Sequence, residues 1–76
     1  MKEAVEKIVK AIVEHPESVE ISEIADGKNV KFEVRVADGD MGKIIGREGR
    51  TVKAIRSLLF FAGQKHGKRF QIDLID

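Results

Sequence analysis

A chain of 76 residues can bury one small core and leaves no room for a separate catalytic domain, so residues 1–76 are predicted to form a single domain. Its composition, 42% hydrophobic and 36% charged with a net charge of +1, is that of a globular protein, and no apolar run reaches the roughly 20 residues that span a bilayer. The chain has no cysteine, which excludes disulfides and thiolate metal sites, so this domain must rely on its core or on association between copies.

The first predicted element is an amphipathic helix from Lys2 to about His15. Its apolar residues recur at steps of three and four, which places them on one side of a helix: Val5, Ile8, Val9 and Ile12. Pro16 is expected to end the helix. Because acidic residues run through this segment, it does not resemble a secretion signal, and we expect a cytoplasmic protein.

Two strands joined by a hairpin turn are predicted next. Val19 and Ile21 alternate with polar residues, although Glu23-Ile24 interrupts the alternation and indicates a bulge or an early end of the strand. Asp26-Gly27 is typical of a hairpin turn, since glycine tolerates a positive φ. The second strand carries apolar residues at every second position, as in a sheet with one covered face: Phe32, Val34 and Val36.

A short helix and a glycine turn follow the second strand. Asp38 or Asp40 can cap the short helix, whose apolar residues are Met41, Ile44 and Ile45. Two glycines within four residues, Gly46 and Gly49, cost a helix roughly 1 kcal/mol each relative to alanine. The sequence therefore predicts a tight turn at 46–49.

A long helix and a third strand complete the predicted fold. The helix runs from Arg50 to about Gly63, where glycine can end it, and the strand has alternating apolar residues at Phe70, Ile72 and Leu74. The result is an α+β fold of order α-β-β-α-α-β, with a three-stranded sheet and helices packed on one face. Burial of both Phe60 and Phe61 is the favoured interpretation, while an exposed one is a candidate dimer contact.

The positive charge of the chain is concentrated around the glycine turn. Residues 41–56 contain five basic residues and one acidic residue, whereas residues 1–26 have a net charge of −4. A helix N-terminus offers unpaired backbone N–H groups, and glycines let a phosphate backbone approach closely. Basic residues then recur at three-residue steps, forming a stripe that phosphates can follow: Arg47, Arg50, Lys53 and Arg56. For the basic residues alone, a solvated helix face is the alternative explanation.

Four apolar residues beside the turn have two interpretations: Ile44, Ile45, Val52 and Ile55. Core packing is favoured for each of them, and contact with a groove for unpaired bases is a partial second role.

No enzyme chemistry is indicated by the remaining polar residues. The glycine spacing fits neither a Walker A loop nor a dinucleotide-binding fingerprint. His15 and His66 have no partners at ligand spacing, so no metal site is predicted. Helix capping accounts for Asp38 and Asp40, and the serines have no neighbouring base to activate them. We therefore expect no catalysis, no cofactor, no small-molecule substrate and no membrane partner.

The segment Ile45-Gly46-Arg47-Glu48-Gly49-Arg50-Thr51-Val52-Lys53-Ala54-Ile55-Arg56 resembles the Ile-Gly-x-x-Gly-x-x-Ile-Lys signature of the KH RNA-binding domain. The order of elements is similar to the type II, prokaryotic KH fold, and a lone KH domain of this length resembles the small bacterial KhpA family. The resemblance implies single-stranded RNA bound in a groove between the two helices and a sheet edge, with the GXXG loop at 46–49 clamping about four nucleotides. It further implies a homodimer, and pairing with a larger KhpB-like KH protein in bacterial RNA regulation linked to cell growth, division and cell shape.

The resemblance assigns ten RNA-binding residues by position: Lys43, Ile45, Gly46, Arg47, Glu48, Gly49, Arg50, Thr51, Lys53 and Arg56. Glu48 is acidic where a neutral or basic residue would suit a phosphate better, so we expect it either to lower affinity or to orient Arg47. Phe32 and Phe70 fall on the apolar sides of their strands, so no aromatic stacking platform is predicted. The alternative function is a protein-interaction or dimerisation module in which RNA contact is incidental.

Overall fold

The computed structural model describes residues 1–75 as six main elements. In chain order they are α1 (Lys2–Ile12), β1 (Glu20–Asp26), β2 (Asn29–Arg35), α2 (Met41–Ile45), α3 (Arg50–His66) and β3 (Arg69–Leu74). Single 3-10 turns lie at Pro16–Ser18 and Arg47–Gly49. This order confirms the predicted α+β fold, and none of the helices in residues 1–75 has the length and apolar content needed to cross a bilayer.

The sheet has the order β1-β2-β3, with β1 antiparallel and β3 parallel to β2. The parallel pair needs a crossover, which α2 and α3 provide. β1 and β2 pair without interruption from Glu20 opposite Arg35 to Asp26 opposite Asn29, so the bulge or early end predicted near Glu23 is wrong. Because β1 is an edge strand, Glu23 stays exposed and breaks the apolar alternation without entering the core. The predicted hairpin turn is confirmed.

One contiguous core lies between the helices and one face of the sheet. Its buried members come from every main element: Val5, Val9, Val13, Ile21, Val30, Phe32, Val34, Ile44, Val52, Ile55, Leu59 and Ile72. Phe32 lies at its centre without exposed surface, and its ring centroid is 5.8 Å from that of the partly buried Phe70. Alternate residues of β2 face the core, which confirms the predicted pattern of one covered face.

α1 ends earlier than predicted. Its last residue is Ile12, and Val13 is already extended with φ −81° and ψ 159°. The residue before a proline is disfavoured in the helical conformation, and His15, which precedes Pro16, has φ −120° and ψ 71°. The helix predicted to reach about His15 therefore stops before it, and His15 lies in the connection to β1.

α3 is longer than predicted, because Gly63 does not end it. Gly63 is buried within the helix, and a Cβ at this position would collide with the backbone carbonyl of Lys68. The N–H of Lys68 donates to the Gly63 carbonyl at 2.8 Å. The helix ends instead at Gly67, whose left-handed backbone (φ 65°, ψ 30°) turns the chain into β3. Gly63 therefore serves close packing, and Gly67 serves the turn.

Candidate nucleic-acid interface

The short helix α2 is preceded by Asp40, whose side chain is almost completely buried (2% exposed). Asp40 occupies the N-cap position of α2 as predicted, but its carboxylate makes no hydrogen bond to the first turn. Asp40 Oδ2 instead accepts the backbone N–H of His15 at 3.0 Å and lies 3.3 Å from His15 Nδ1. His15, for which the sequence indicated no partner at metal-ligand spacing, thus connects the segment after α1 to the start of α2.

The environment of Asp40 acts on its pKa in two directions. Burial alone raises the pKa of this carboxyl, but hydrogen bonds from the backbone of His15 and Glu14 and from the His15 ring stabilise the charged form. The net pKa of Asp40 is below its ordinary value. Glu14, His15 and Asp40 bring three possible metal donors within 4.8 Å, but Asp40 is already hydrogen bonded to His15, and Glu14 to Lys43.

The turn between α2 and α3 is confirmed as a tight, left-handed segment. Gly46 (φ 76°), Glu48 (φ 55°) and Gly49 (φ 75°) all have positive φ, and Glu48 is the only non-glycine residue in 1–75 that does. A Cβ at Gly46 would overlap the Thr51 side chain and approach its backbone nitrogen. Only glycine fits there, because the chain turns directly over the first residues of α3.

The five basic residues around this turn differ in their partners. Lys43 Nζ donates to Glu14 Oε1 at 3.0 Å, and this bond raises the pKa of Lys43. Arg50 pairs with Glu48 at 3.5 Å, so within the structure Glu48 contacts Arg50 rather than orienting Arg47. The other three have no ion pair within residues 1–75, and all three are exposed: Arg47, Lys53 and Arg56.

The apolar residues beside the turn divide between core and surface. Ile44, Val52 and Ile55 are buried, which confirms their predicted role in the core. Ile45 is 39% exposed, so its core assignment is wrong, and it lies on the surface immediately before the glycine turn. Thr51 is half-buried under Gly46.

Burial of Phe60 and Phe61 is also a wrong prediction, since their side chains are 57% and 65% exposed. The side of α3 that faces the core is formed by small and aliphatic residues at steps of three and four: Val52, Ile55, Leu59 and Gly63. Both phenylalanines lie outside this stripe, and so does Leu58, which is 58% exposed.

The ten RNA-binding residues predicted by resemblance occupy α2, the glycine turn and the first two turns of α3.

A groove lies between α3 and β3, and sequence reasoning missed that Phe60 lines it. It has a volume of about 630 Å³, and its walls include Arg56 and Phe60 from α3 and Arg69 and Ile72 from β3. The signal in the sequence was the four-residue step from Arg56 to Phe60, which places the two side chains on one side of a helix.

Comparison with known proteins identifies the family of this chain. Residues 2–74 match the family model described as KhpA/KhpB, KH domain. The chain belongs to this family.

Several full-length relatives carry the name RNA-binding protein KhpA. The protein of Halalkalibacterium halodurans is 46% identical over 76 residues, covering all of both chains. That of Clostridium acetobutylicum is 40% identical over 99% of this chain and its own full length, and that of Chlamydia muridarum is 41% identical over this whole chain and 97% of its own. No solved structure matches this chain.

Membership of the KhpA/KhpB family agrees with the fold described above. The mixed sheet with helices on one face is that of a KH domain, as the sequence predicted. The relatives are named as RNA-binding proteins and not as enzymes, in agreement with the expectation of no catalytic activity.

Proposed function

We propose that this KhpA/KhpB-family protein binds single-stranded RNA by holding the phosphate backbone at the turn Gly46-Arg47-Glu48-Gly49. The observation that carries the proposal is the left-handed conformation of this turn, which brings backbone and the exposed Arg47 side chain to the surface at the start of α3. The names of the relatives and the family's KH domain support the same ligand. We assign this role to residues 1–76 as one KH domain.

The charge around the turn suits a chain of phosphates. Arg47 lies in the turn, and Lys53 and Arg56 follow on α3, all exposed and without ion pairs among residues 1–75. The 17-residue α3 directs the positive end of its dipole towards the turn. The exposed Ile45 offers an apolar surface to a base beside the clamped backbone. The proposed site comprises the ten residues assigned by resemblance: Lys43, Ile45, Gly46, Arg47, Glu48, Gly49, Arg50, Thr51, Lys53 and Arg56.

We also propose that the protein forms a homodimer and pairs with a KhpB-like KH protein. Leu58 and Phe61, three residues apart on α3, form an exposed apolar patch on a very small domain. One turn holding about four nucleotides binds weakly, and two linked copies raise the avidity through effective concentration. The proposed setting is the bacterial cytoplasm, in RNA regulation linked to cell growth and shape.

A protein-interaction module in which RNA contact is incidental is the second candidate function. The exposure of Leu58 and Phe61 favours it, since these two residues lie outside the basic stripe. It predicts self-association without any dependence on the sequence of the turn.

A salt titration of fluorescence anisotropy with labelled single-stranded RNA tests the proposal. The native protein should lose affinity steeply with salt, with about 0.7 in the log–log slope for each phosphate neutralised. The double variant Arg47→Asp with Glu48→Asp should lose most of the binding while keeping its circular dichroism spectrum. Lys7→Glu is the matched control, because it changes the net charge by the same amount on the exposed side of α1. Equal binding by native protein and double variant, or no binding by either, would reject the clamp.

A further inference from the structure

The groove between α3 and the free edge of β3 continues the basic stripe that starts at the glycine turn. Lys53, Arg56 and Phe60 follow one another at steps of three and four, so they share one side of α3. Lys53, the first of these residues, lies next to the glycine turn, since a Cβ at Gly49 would be 4.0 Å from Lys53 Cε. At the other end, Arg56 and Phe60 form the helical wall of the 630 Å³ groove.

The ring of Phe60 contacts that of Phe61 edge to face, with centroids 5.7 Å apart, whereas Leu58 lies on the opposite side of α3. At 3.6 residues per turn, Phe60 is about 200° around the helix from Leu58 and about 100° from Phe61. Phe60 also lines a second, adjoining groove of about 250 Å³ together with Gln64 and Lys68. Phe60, which is 57% exposed, therefore lines both grooves while the edge-to-face contact joins it to Phe61.

The charge of this groove favours a polyanion. Three cations line it, Lys31, Arg56 and Arg69, against one carboxylate, that of Asp73. An apolar groove for a peptide or a second copy does not need three cations. A nucleotide presents an apolar base face and an anionic phosphate together, which matches Phe60 beside Arg56 and Arg69.

The opposite wall of the groove offers hydrogen-bonding groups that the sheet leaves free. Within residues 1–75, β3 pairs only with β2, and the N–H groups of Arg69 and Ile75 donate towards that side, to the carbonyl oxygens of Lys28 and Val34. Residues of a strand in a parallel pair bond alternately to either side, so the backbone groups of Ile72 face the free edge. The backbone of this edge can therefore form hydrogen bonds with a base whose face lies against Phe60.

We infer that Phe60 stacks on a nucleobase of the RNA strand held at the glycine turn, with Arg56 and Arg69 beside the phosphates of that nucleotide. The inference rests on the proposed function and extends the site to the far half of α3. It assigns this groove an aromatic stacking residue, contrary to the sequence expectation that no stacking platform exists. From Gly49 to Phe60 the α3 axis rises roughly 16 Å, so the stacked base belongs to a nucleotide beyond those held at the turn.

A single tryptophan can report this contact, because the chain contains neither tryptophan nor tyrosine. Phe60→Trp keeps an aromatic face, and stacking of a base quenches its fluorescence. RNA binding is followed in parallel by anisotropy, using labelled oligouridylates of about four and about eight nucleotides. We expect quenching in Phe60→Trp by the longer RNA only, and little quenching in Leu58→Trp, a control with similar exposure on the opposite side of α3.

A second pair of variants separates stacking from simple apolar contact. Phe60→Leu retains apolar surface and helix propensity but removes the aromatic face, so its affinity for the longer RNA should fall about five- to tenfold. Its affinity for the shorter RNA should not change. Phe60→Trp should bind the longer RNA at least as well as the native protein.

The outcomes separate the inference from the proposed function. RNA binding by anisotropy without quenching in Phe60→Trp, or with equal quenching in Leu58→Trp, overturns the inference and leaves the clamp at the turn in place. No RNA binding by the native protein overturns both. A change in Phe60→Trp emission with protein concentration alone would assign the groove to contact between copies and would also overturn the inference.

Discussion

The buried carboxylate of Asp40 accepts the backbone N–H of His15 at 3.0 Å, which joins the end of α1 to the start of α2. The two residues are 25 positions apart in the chain. α2 has only five residues and leads directly into the glycine turn, so it has little helical stability of its own. The Asp40 contact thus helps to hold the turn in position, together with the buried side chain of Ile44 and the bond from Lys43 to Glu14.

Replacing Asp40 should destabilise the fold. Asp40→Ala leaves the His15 N–H without its charged acceptor, and loss of such a bond should lower the Tm by on the order of 10 °C for a chain of this size. Asp38→Ala is the control, because Asp38 does not cap α2 and is more exposed than Asp40. Thermal melts followed by circular dichroism measure both variants, and equal Tm values would contradict the anchoring role.

The same carboxylate should make the stability depend on acid pH. The folded-state pKa of Asp40 is below its ordinary value of 3.8, so the charged form stabilises the folded protein. This contribution is complete above pH 3.8 and is lost as the pH falls below that value, through the folded pKa. Denaturant unfolding across this range should show a steeper loss for the native protein than for Asp40→Asn. If the stability of the native protein and that of Asp40→Asn fall equally with pH, the pKa of Asp40 is not lowered by folding.

Glu48 should limit both stability and RNA affinity, for separate reasons. Its positive φ of 55° costs a side chain of this type about 1 kcal/mol, whereas asparagine tolerates the left-handed region. Its charge also opposes phosphate binding. Glu48→Asn should therefore raise the free energy of unfolding by about 0.5–1 kcal/mol and the RNA affinity about three- to fivefold. Glu48→Gln is the matched control, which should raise the affinity alone. Urea unfolding and RNA anisotropy measure the two effects, and equal stability of the two variants would show that the backbone at Glu48 is not strained.

The features that the sequence predicted well depend on local spacing. The strands followed from alternation, and the turn at 46–49 followed from two glycines within four residues. Long-range contacts decided the rest. The sequence near Asp40 cannot show that His15, 25 positions away, supplies its partner. A hydrophobic side chain suggests burial, but Phe60 and Phe61 lie outside the core-facing side of α3, which is formed by Val52, Ile55, Leu59 and Gly63.

Replacing two helical glycines, Gly63 and Gly42, by alanine should change the free energy of unfolding in opposite directions. Gly63→Ala places a Cβ against the Lys68 carbonyl, where the backbone must shift, so we expect a loss of about 1–3 kcal/mol in the free energy of unfolding. A Cβ at Gly42 would meet no atom within 4 Å, and Gly42 has no positive φ. Gly42→Ala should therefore stabilise the protein by about 0.5–1 kcal/mol through helix propensity. Urea unfolding measures the stability of the two alanine variants. If both variants are more stable than the native protein, Gly63 is not required for close packing against Lys68.

The patch formed by Leu58 and Phe61 should control self-association. Phe61→Glu places a charge on a surface that two copies would have to desolvate, so dimerisation should weaken about tenfold or more. Sedimentation velocity at several concentrations measures this equilibrium. Ile24→Glu is the control, since Ile24 is also an exposed apolar residue but lies on β1, away from α3. If both variants associate like the native protein, the α3 patch is not the interface. If only Phe61→Glu is monomeric and its affinity for a short RNA is unchanged, then association and the clamp at the glycine turn use different surfaces of the protein.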